Sequence, residues 1–332
     1  MQKYNLLLKD LYFPILCFII GIFLAFFIGG IKATIIIIIL NLLEISLSFD
    51  NAVLNAAILN TMTPIWRQRF LTWGIFIAVF VMRLLFPILI IAIFSKTNLI
   101  EAFYFAFNNA EASKELLSQS HIPISAFGGM FLLMVFLDFI LNTNKKIHWL
   151  VKLETFCSNI ARFTLLRVLS ALVILIIFTM FNKENAKHLL IFGSIGILLQ
   201  VIIISFIRYL NKKFTQIPTQ ALTKSSALSF LYLEVLDASF SLDGVLGAFA
   251  ITKDIILIFI GLGVGAIFVR SLTTILVKQE VLQKYQYLEH AAHYAIGALG
   301  LFMLLSTKIH INEIIPCFIS VVLIVMALVS SK

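Results

Sequence analysis

Residues 39–59 read ILNLLEISLSFDNAVLNAAIL, and residues 231–252 read LYLEVLDASFSLDGVLGAFAIT. A shift of 193 residues lays Glu44 on Asp237, Ser46 on Ser239, Ser48 on Ser241 and Asp50 on Asp243. Acids at matching places inside two apolar runs point to helices that must hide charge from hydrocarbon. A barrel wall would alternate apolar and polar residues, and these runs do not, so the spanning elements are helical.

Composition widens that reading to the whole chain. Of its 332 residues 61% are apolar, 12% are charged and 32 are Phe, with a mean hydropathy of +1.06. A typical soluble domain is about 45–50% apolar and about 25% charged. A soluble body this size could not bury so much apolar side chain. The expected fold is all-α, a polytopic transmembrane helical bundle with the lipid bilayer as its main partner. The formal charge of +9 comes from Lys and Arg in short connections between apolar runs, where it orients spans. No nucleic-acid partner is expected. The opening MQKYNLLLKD shows no small-residue cleavage signal, so the first helix reads as retained.

Runs long enough for a hydrocarbon core of about 30 Å lie near 11–31, 33–60, 70–94, 122–141, 164–181, 189–207, 225–251, 254–277, 286–306 and 313–330. That makes about ten spans. The stretch 98–118 carries Glu101, Glu111, Lys114 and Glu115 and either spans, re-enters or lies along the surface, so the count is ten or eleven, and the basic residues favour ten. Basic connections at 142–162 and 208–224 then fall in the cytoplasm with both chain ends. The internal likeness continues beyond the two acidic segments: Gly74 and Arg83 in GIFIAVFVMR match Gly261 and Arg270 in GLGVGAIFVR. The expected organisation is an N-terminal span (1–32), a first repeat half (33–141), a two-span insert with basic connections (142–220) and a second half (221–332). With ten spans the halves have opposite orientations, the inverted repeat of many secondary transporters.

Glu44, Asp50, Glu234, Asp237 and Asp243 all fall inside spans. Each charge at a helix centre costs roughly 2.5–3.5 kcal/mol, and five facing lipid would cost on the order of 15 kcal/mol. They must face one another, water, a proton or a cation. At 100° per residue, Asn41, Glu44, Ser48, Asn51 and Asn55 share one arc, and Glu234, Asp237 and Ser241 form the matching stripe. Asp50 and Asp243 fall off those arcs, so either they meet a different neighbour or each helix is locally broken there, a break eased in the second half by Gly244 and Gly247. Oxygen donors suit a hard divalent ion. The candidate metal ligands are Glu44, Ser48, Asp50, Asn51, Glu234, Asp237, Ser241 and Asp243. The competing reading pairs these acids with Arg83 and Arg270 in buried ion pairs. Arg83, Arg270, Glu289 and His293 are candidates for a proton relay or a supporting role. Glu289 and His293, four apart in YLEHAAHYAIG, could equally be a hydrogen-bonded pair at a helix end.

These segments resemble the TerC family of integral membrane proteins, within the LysE/TerC grouping. Its first signature is met by Glu44, Leu47, Ser48, Asp50 and Asn51, and its second by Glu234, Asp237, Phe240 and Asp243. SAFGGMFLLMVFLDF at 125–139 and YLEHAAHYAIGAL at 287–299 resemble the longer branch of that family, whose function is uncharacterised. The D-S-x-P-A run of short members is replaced here by Asp243, Gly244, Val245, Leu246 and Gly247. The resemblance implies tellurium resistance or manganese export, and buried carboxylates favour the cation.

The expected function is a secondary exporter of a divalent metal ion, Mn²⁺ foremost, in the bacterial inner membrane. The ion is substrate and no permanent cofactor is expected. The alternative is a membrane partner that delivers metal to exported or membrane metalloproteins. No nucleophile motif accompanies the acids, so an enzyme is not expected. The ten-span reading makes a labelling prediction. In a background without the native cysteines, a cysteine at residue 66–68 is protected from impermeant external thiol reagents and one near residue 97 is labelled. The reverse pattern excludes this topology.

Overall fold

The computed structural model describes residues 2–85, 88–89, 92–93, 96–108, 110–143, 145, 147–160, 165–213, 218–252, 254–279, 281–309, 311 and 314–331. Every regular element among them is helical. In chain order they are α1 (Gln2–Leu47), α2 (Phe49–Thr61), α3 (Pro64–Phe76) running into a π-helical stretch (Ile77–Leu85), α4 (Leu99–Asn108), α5 (Ala110–Ile140), α6 (Val151–Ile160) and α7 (Leu166–Phe181). A 3₁₀ turn (Lys183–Asn185) leads into α8 (Ala186–Lys213), followed by α9 (Pro218–Ile251), α10 (Ile255–Lys278), the single turn α11 (Val281–Lys284), α12 (Leu288–Ser306) and α13 (Ile314–Ser330). Two compact units result: Met1–Ser120 with Leu233–Gln279, and His121–Tyr232 with Glu280–Lys332. Each unit draws on both sequence halves.

In the first unit α1 reverses direction. Gly29 (φ −146°, ψ 20°) and Gly30 (φ 63°, ψ −150°) leave helical geometry. Before them, Phe18 meets Phe268 with ring centroids 6.2 Å apart, and Gly21 abuts Ile260 and Val264. Ala25, Ala33, Ile37 and Leu257 form one buried cluster around the turn. Beyond it Leu40 abuts Gly261 and Glu44 abuts Gly265. The chain therefore descends α10 and climbs it again, as a helical hairpin whose first arm takes in the segment expected over 11–31 and whose second arm is the part of the segment expected over 33–60 that ends at Leu47. The small residues of 261–265 admit the second arm. A Cβ at Gly261 would lie 2.6 Å from the Leu40 Cβ, and one at Gly265 would lie 2.6 Å from the Glu44 Cβ. Asp254 fixes the start of α10, its Oδ1 accepting from the Ile256 and Leu257 amides at 2.9 and 3.2 Å.

The second unit is built on another close approach. A Cβ at Gly129 of α5 would lie 2.9 Å from the Gly300 carbonyl oxygen of α12, and one at Gly300 would lie 2.9 Å from the Gly129 carbonyl oxygen. The small residues expected to bring helices together at 293–300 do so here. Met130, Leu133, Leu175, Ile197 and Leu304 fill the core around that contact. Asn182, after α7, donates to the Thr307 carbonyl at 2.9 Å at the end of α12.

The protein is an all-α polytopic membrane protein. Six segments among the described residues are long and apolar enough to cross: Leu11–Leu47, Pro64–Leu85, Ser120–Ile140, Lys183–Phe206, Ile255–Lys278 and Leu288–Ser306. Phe23, Phe27 and Ile31 are among many large apolar side chains left exposed, as lipid contact demands. The expectation of about ten spans is met only at six by this measure. The first expected span and the start of the second lie in α1, the rest of the second forms α2, and Leu166–Phe181 and Phe318–Ser330 are shorter apolar helices. The stretch 225–251, within α9 and carrying three acids, is not among the six. The 98–118 stretch is not among them either.

Gly30 has open space beside it, so a substitution there reads backbone strain alone. Gly30→Ala is expected to destabilise the protein by about 1–3 kcal/mol, seen as a lowered midpoint in thermal unfolding in detergent.

Candidate functional site

Glu44 sits on the last turn of α1, just before Ser48 (φ −101°, ψ 12°) interrupts the helix and α2 begins. The break expected near Asp50 and Asp243 therefore occurs in the first half only. Its opposite number α9 runs through Gly244 and Gly247 as continuous helix, because ladder bonding tolerates glycine when neighbours hold the helix. Ser48 Oγ donates to Glu44 Oε1 at 3.0 Å, and the Asn51 amide donates to Asp50 Oδ1 at 2.9 Å. Asn51 Nδ2 reaches across to Asp237 Oδ1 of α9 at 3.0 Å.

Two arginines complete the cluster. Arg83 lies in the π-helical stretch after α3, where its Nη1 donates to the Ala78 carbonyl at 3.0 Å and to Asp237 Oδ2 at 3.1 Å. Its Nη2 donates to Glu44 Oε1 in a closer contact. One guanidinium thus joins the two acids that the 193-residue shift superimposes. Arg270 of α10 lies 3.4 Å from Asp237 Oδ2 and 3.5 Å from Glu234 Oε1, with its Cζ 3.8 Å above the Phe70 ring. Gly74 makes room for that pair, since a Cβ there would lie 3.2 Å from Glu234 Oε1 and 3.4 Å from Arg270 Nη1. Ser241 Oγ donates to the Met82 carbonyl at 3.1 Å.

The crossing of the two acidic segments has a direction. Asn51 faces Asp237, while Glu44 Oε2 lies 3.1 Å from the place a Gly244 Cβ would take. Seven residues forward on one strand of chain correspond to seven backward on the other, so the segments pass in opposite senses.

Glu44, Asp50, Glu234 and Asp237 are buried, as are Arg83 and Arg270. Among the described residues Glu44, Glu234 and Asp237 share two guanidinium groups. Glu234 Oε2, Asn51 Oδ1 and Asn55 Oδ1 are buried without a donor, and Arg83 Nε and Arg270 Nη1 without an acceptor. The structure thus brings together Glu44, Ser48, Asn51, Glu234, Asp237, Arg83 and Arg270. It keeps Asp50 at the start of α2 and pairs Ser241 with backbone. The Asp243 side chain lies outside the described residues. Among those described, no three His, Cys, Asp or Glu groups are placed to hold a metal ion. The acids converge on guanidinium groups, not on one another.

Glu289 and His293 belong to the second unit. His293 Nδ1 donates to the Glu289 carbonyl at 2.8 Å, and its ring stacks on Phe139 at 3.9 Å. The pair meets through backbone and not through the Glu289 carboxylate. Sequence reading missed Glu154, the centre of a second polar cluster. Glu154 is fully buried and lies 2.7 Å from Lys145 Nζ, while accepting from His148 Nδ1 at 3.1 Å and Tyr294 OH at 2.9 Å. Its Oε1 also accepts from the Trp149 and Leu150 amides at 3.2 Å, capping α6. The available signal was a lone acid in an otherwise basic connection. Burial pushes its carboxyl up, but hydrogen bonds from Lys145 and Tyr294, the Lys145 charge and the Leu150 amide hold it at about 2. Asp138, near the end of α5, pairs with Arg167.

A model of the family described as "Protein of unknown function (DUF475)" matches residues 49–332. The chain belongs to that family. Membership in DUF475 corrects the TerC resemblance, which rests on short stretches at 39–59, 125–139, 231–252 and 287–299. Tellurium resistance and manganese export entered with that resemblance and leave with it. Neither a curated protein nor a solved structure matches this DUF475 chain.

Glu154 carries a pH prediction. A carboxyl held at about 2 against an ordinary value of 4.5 stabilises the fold above the ordinary value, and that stability disappears as pH falls towards 2. Glu154→Gln is expected to lower stability at pH 7 by about 3 kcal/mol. The gap from wild type should close as pH drops below the ordinary carboxyl range, measured by chemical unfolding in detergent.

Proposed function

We propose that the protein is a secondary transporter of a divalent cation in the bacterial inner membrane, with the carboxylates around Arg83 and Arg270 as its binding site. The observation that carries this reading is a surplus of acceptors. Glu44 and Asp237 share one guanidinium, and Glu234 Oε2 and Asn51 Oδ1 have no donor. Among the described residues three clustered acids, Glu44, Glu234 and Asp237, stand against two arginines, which leaves negative charge for a cation or a proton to match. Low dielectric makes an unmatched charge expensive, so the site favours an ion that matches it.

The proposed architecture has ten crossings, both ends in the cytoplasm, and halves 33–141 and 221–332 in inverted orientation. The opposite-sense crossing supports it. A 193-residue shift turns the contact of Glu44 with Gly244 into the contact of Asp237 with Asn51, as a two-fold axis between the segments would. Such an axis puts a shared site at the bilayer midplane, where rocking of one half exposes it to either side. The broken helix at Ser48 fits the same scheme.

The engagement of both arginines favours a second reading, in which the cluster is a purely structural ion-pair network. Glu234 separates the two, because its hold on Arg270 is long and one of its oxygens is free. Proteoliposomes loaded in turn with Mg²⁺, Ca²⁺ and Co²⁺ report flux through an external metal-sensing dye. Glu234→Gln is expected to reduce flux at least tenfold while leaving thermal stability unchanged. Unchanged flux with stability lowered by about 3–5 kcal/mol would establish the structural network instead.

A further inference from the structure

We propose that Arg83 is a tethered stand-in for the cargo: it neutralises the empty site between Glu44 and Asp237, and an arriving cation displaces it. The inference rests on the transport reading above and adds how the empty carrier returns. The acids close around a guanidinium, with Arg83 Nη2 on Glu44 and Nη1 on Asp237. No three acidic or imidazole groups among the described residues are gathered around a vacancy. A carrier whose acids were bare would have to drag two negative charges through hydrocarbon on every return. A built-in cation removes that barrier.

The two arginines are held differently, and only one is mounted to move. Arg270 sits on regular helix, stacked on Phe70 and seated against Gly74. Arg83 sits on a π-helical stretch of nine residues, Ile77–Leu85, a geometry that is rare and usually limited to a single turn. Tightening those turns to α-helix rotates everything beyond Ile77 about the helix axis and swings Arg83 off the acids. Its own grip on the stretch is the bond from Nη1 to the Ala78 carbonyl, five residues back, which is a contact made across the widened turn. Its Nε is buried with no acceptor, so the seat is not a perfect one for arginine. Asn51, whose amide already holds Asp237, keeps a buried oxygen without a donor beside that acid. That oxygen serves a metal ion, which accepts no hydrogen bond and needs only lone pairs.

The role separates two modes of transport. Net efflux requires the empty site to return, whereas exchange of one ion for another never empties it. In proteoliposomes with whichever of Mg²⁺, Ca²⁺ and Co²⁺ the wild type carries, Arg83→Gln should lose net efflux at least tenfold and retain exchange within threefold. Arg83→Lys keeps the charge but cannot fork to both acids. It should retain both modes and lower the half-saturating cation concentration about tenfold, because the tethered competitor is weaker. Loss of exchange together with efflux in a folded Arg83→Gln protein overturns the proposal. Should that variant fail to insert, an unchanged or raised half-saturating concentration in Arg83→Lys overturns it as well. Wild-type vesicles that pass none of the three ions refute the transport reading itself, and this inference falls with it. Normal wild-type flux with either contrary result refutes only the role of Arg83.

Discussion

A carboxylate surrounded by hydrocarbon needs a positive partner within hydrogen-bonding reach, and Arg83 provides one to Glu44 and Asp237 together. Much of the first unit follows from making that contact. The second arm of α1 must press against α10 to bring Glu44 inward, and Gly265 clears the space. The helix must end near Ser48 so that α2 can start afresh with Asn51 aimed at Asp237. The chain after α3 must widen so that Arg83 reaches both acids while bonding to its own helix. Packing here serves electrostatics, because an unpaired charge in this setting outweighs several methyl contacts.

The second unit solves a related problem by other means. Glu154 is as buried as the membrane acids, but its donors are numerous and local: an ammonium, a phenol, an imidazole and two amides. Such saturation makes a rigid joint between the basic connection and α12. The cluster of the first unit is less saturated, with oxygen acceptors left open. One carboxylate is saturated by its surroundings, while Glu234 in the first unit keeps an oxygen without a donor.

Much of this was legible in the residues, and the gaps have physical reasons. Paired acids at equal spacing within apolar runs announce a buried polar site, since no other arrangement survives in lipid. Arg83 and Arg270 were visible as matched cations, and glycines 261 and 265 as a close-approach face. Which acid each arginine takes was not visible. Those partners lie 39, 154, 33 and 36 residues away, and periodicity speaks only of one helix at a time. The reversal at Gly29 and Gly30 showed only as a boundary between two apolar runs. The family was misread because the resemblance rests on four short stretches of the chain. DUF475 is recognised by residues spread over 49–332.

The crossing of the two acidic segments also trades length for bulk. On one side a short acid, Asp237, meets the amide of Asn51; on the other a longer acid, Glu44, meets the bare backbone of Gly244. Lengthening Asp237 to Glu would drive it into Asn51 unless Asn51 shrank as well. An Asn at position 244 would collide with Glu44 unless Glu44 became Asp. A change of size on one side of either contact therefore calls for a matching change on the other, across about two hundred residues of sequence.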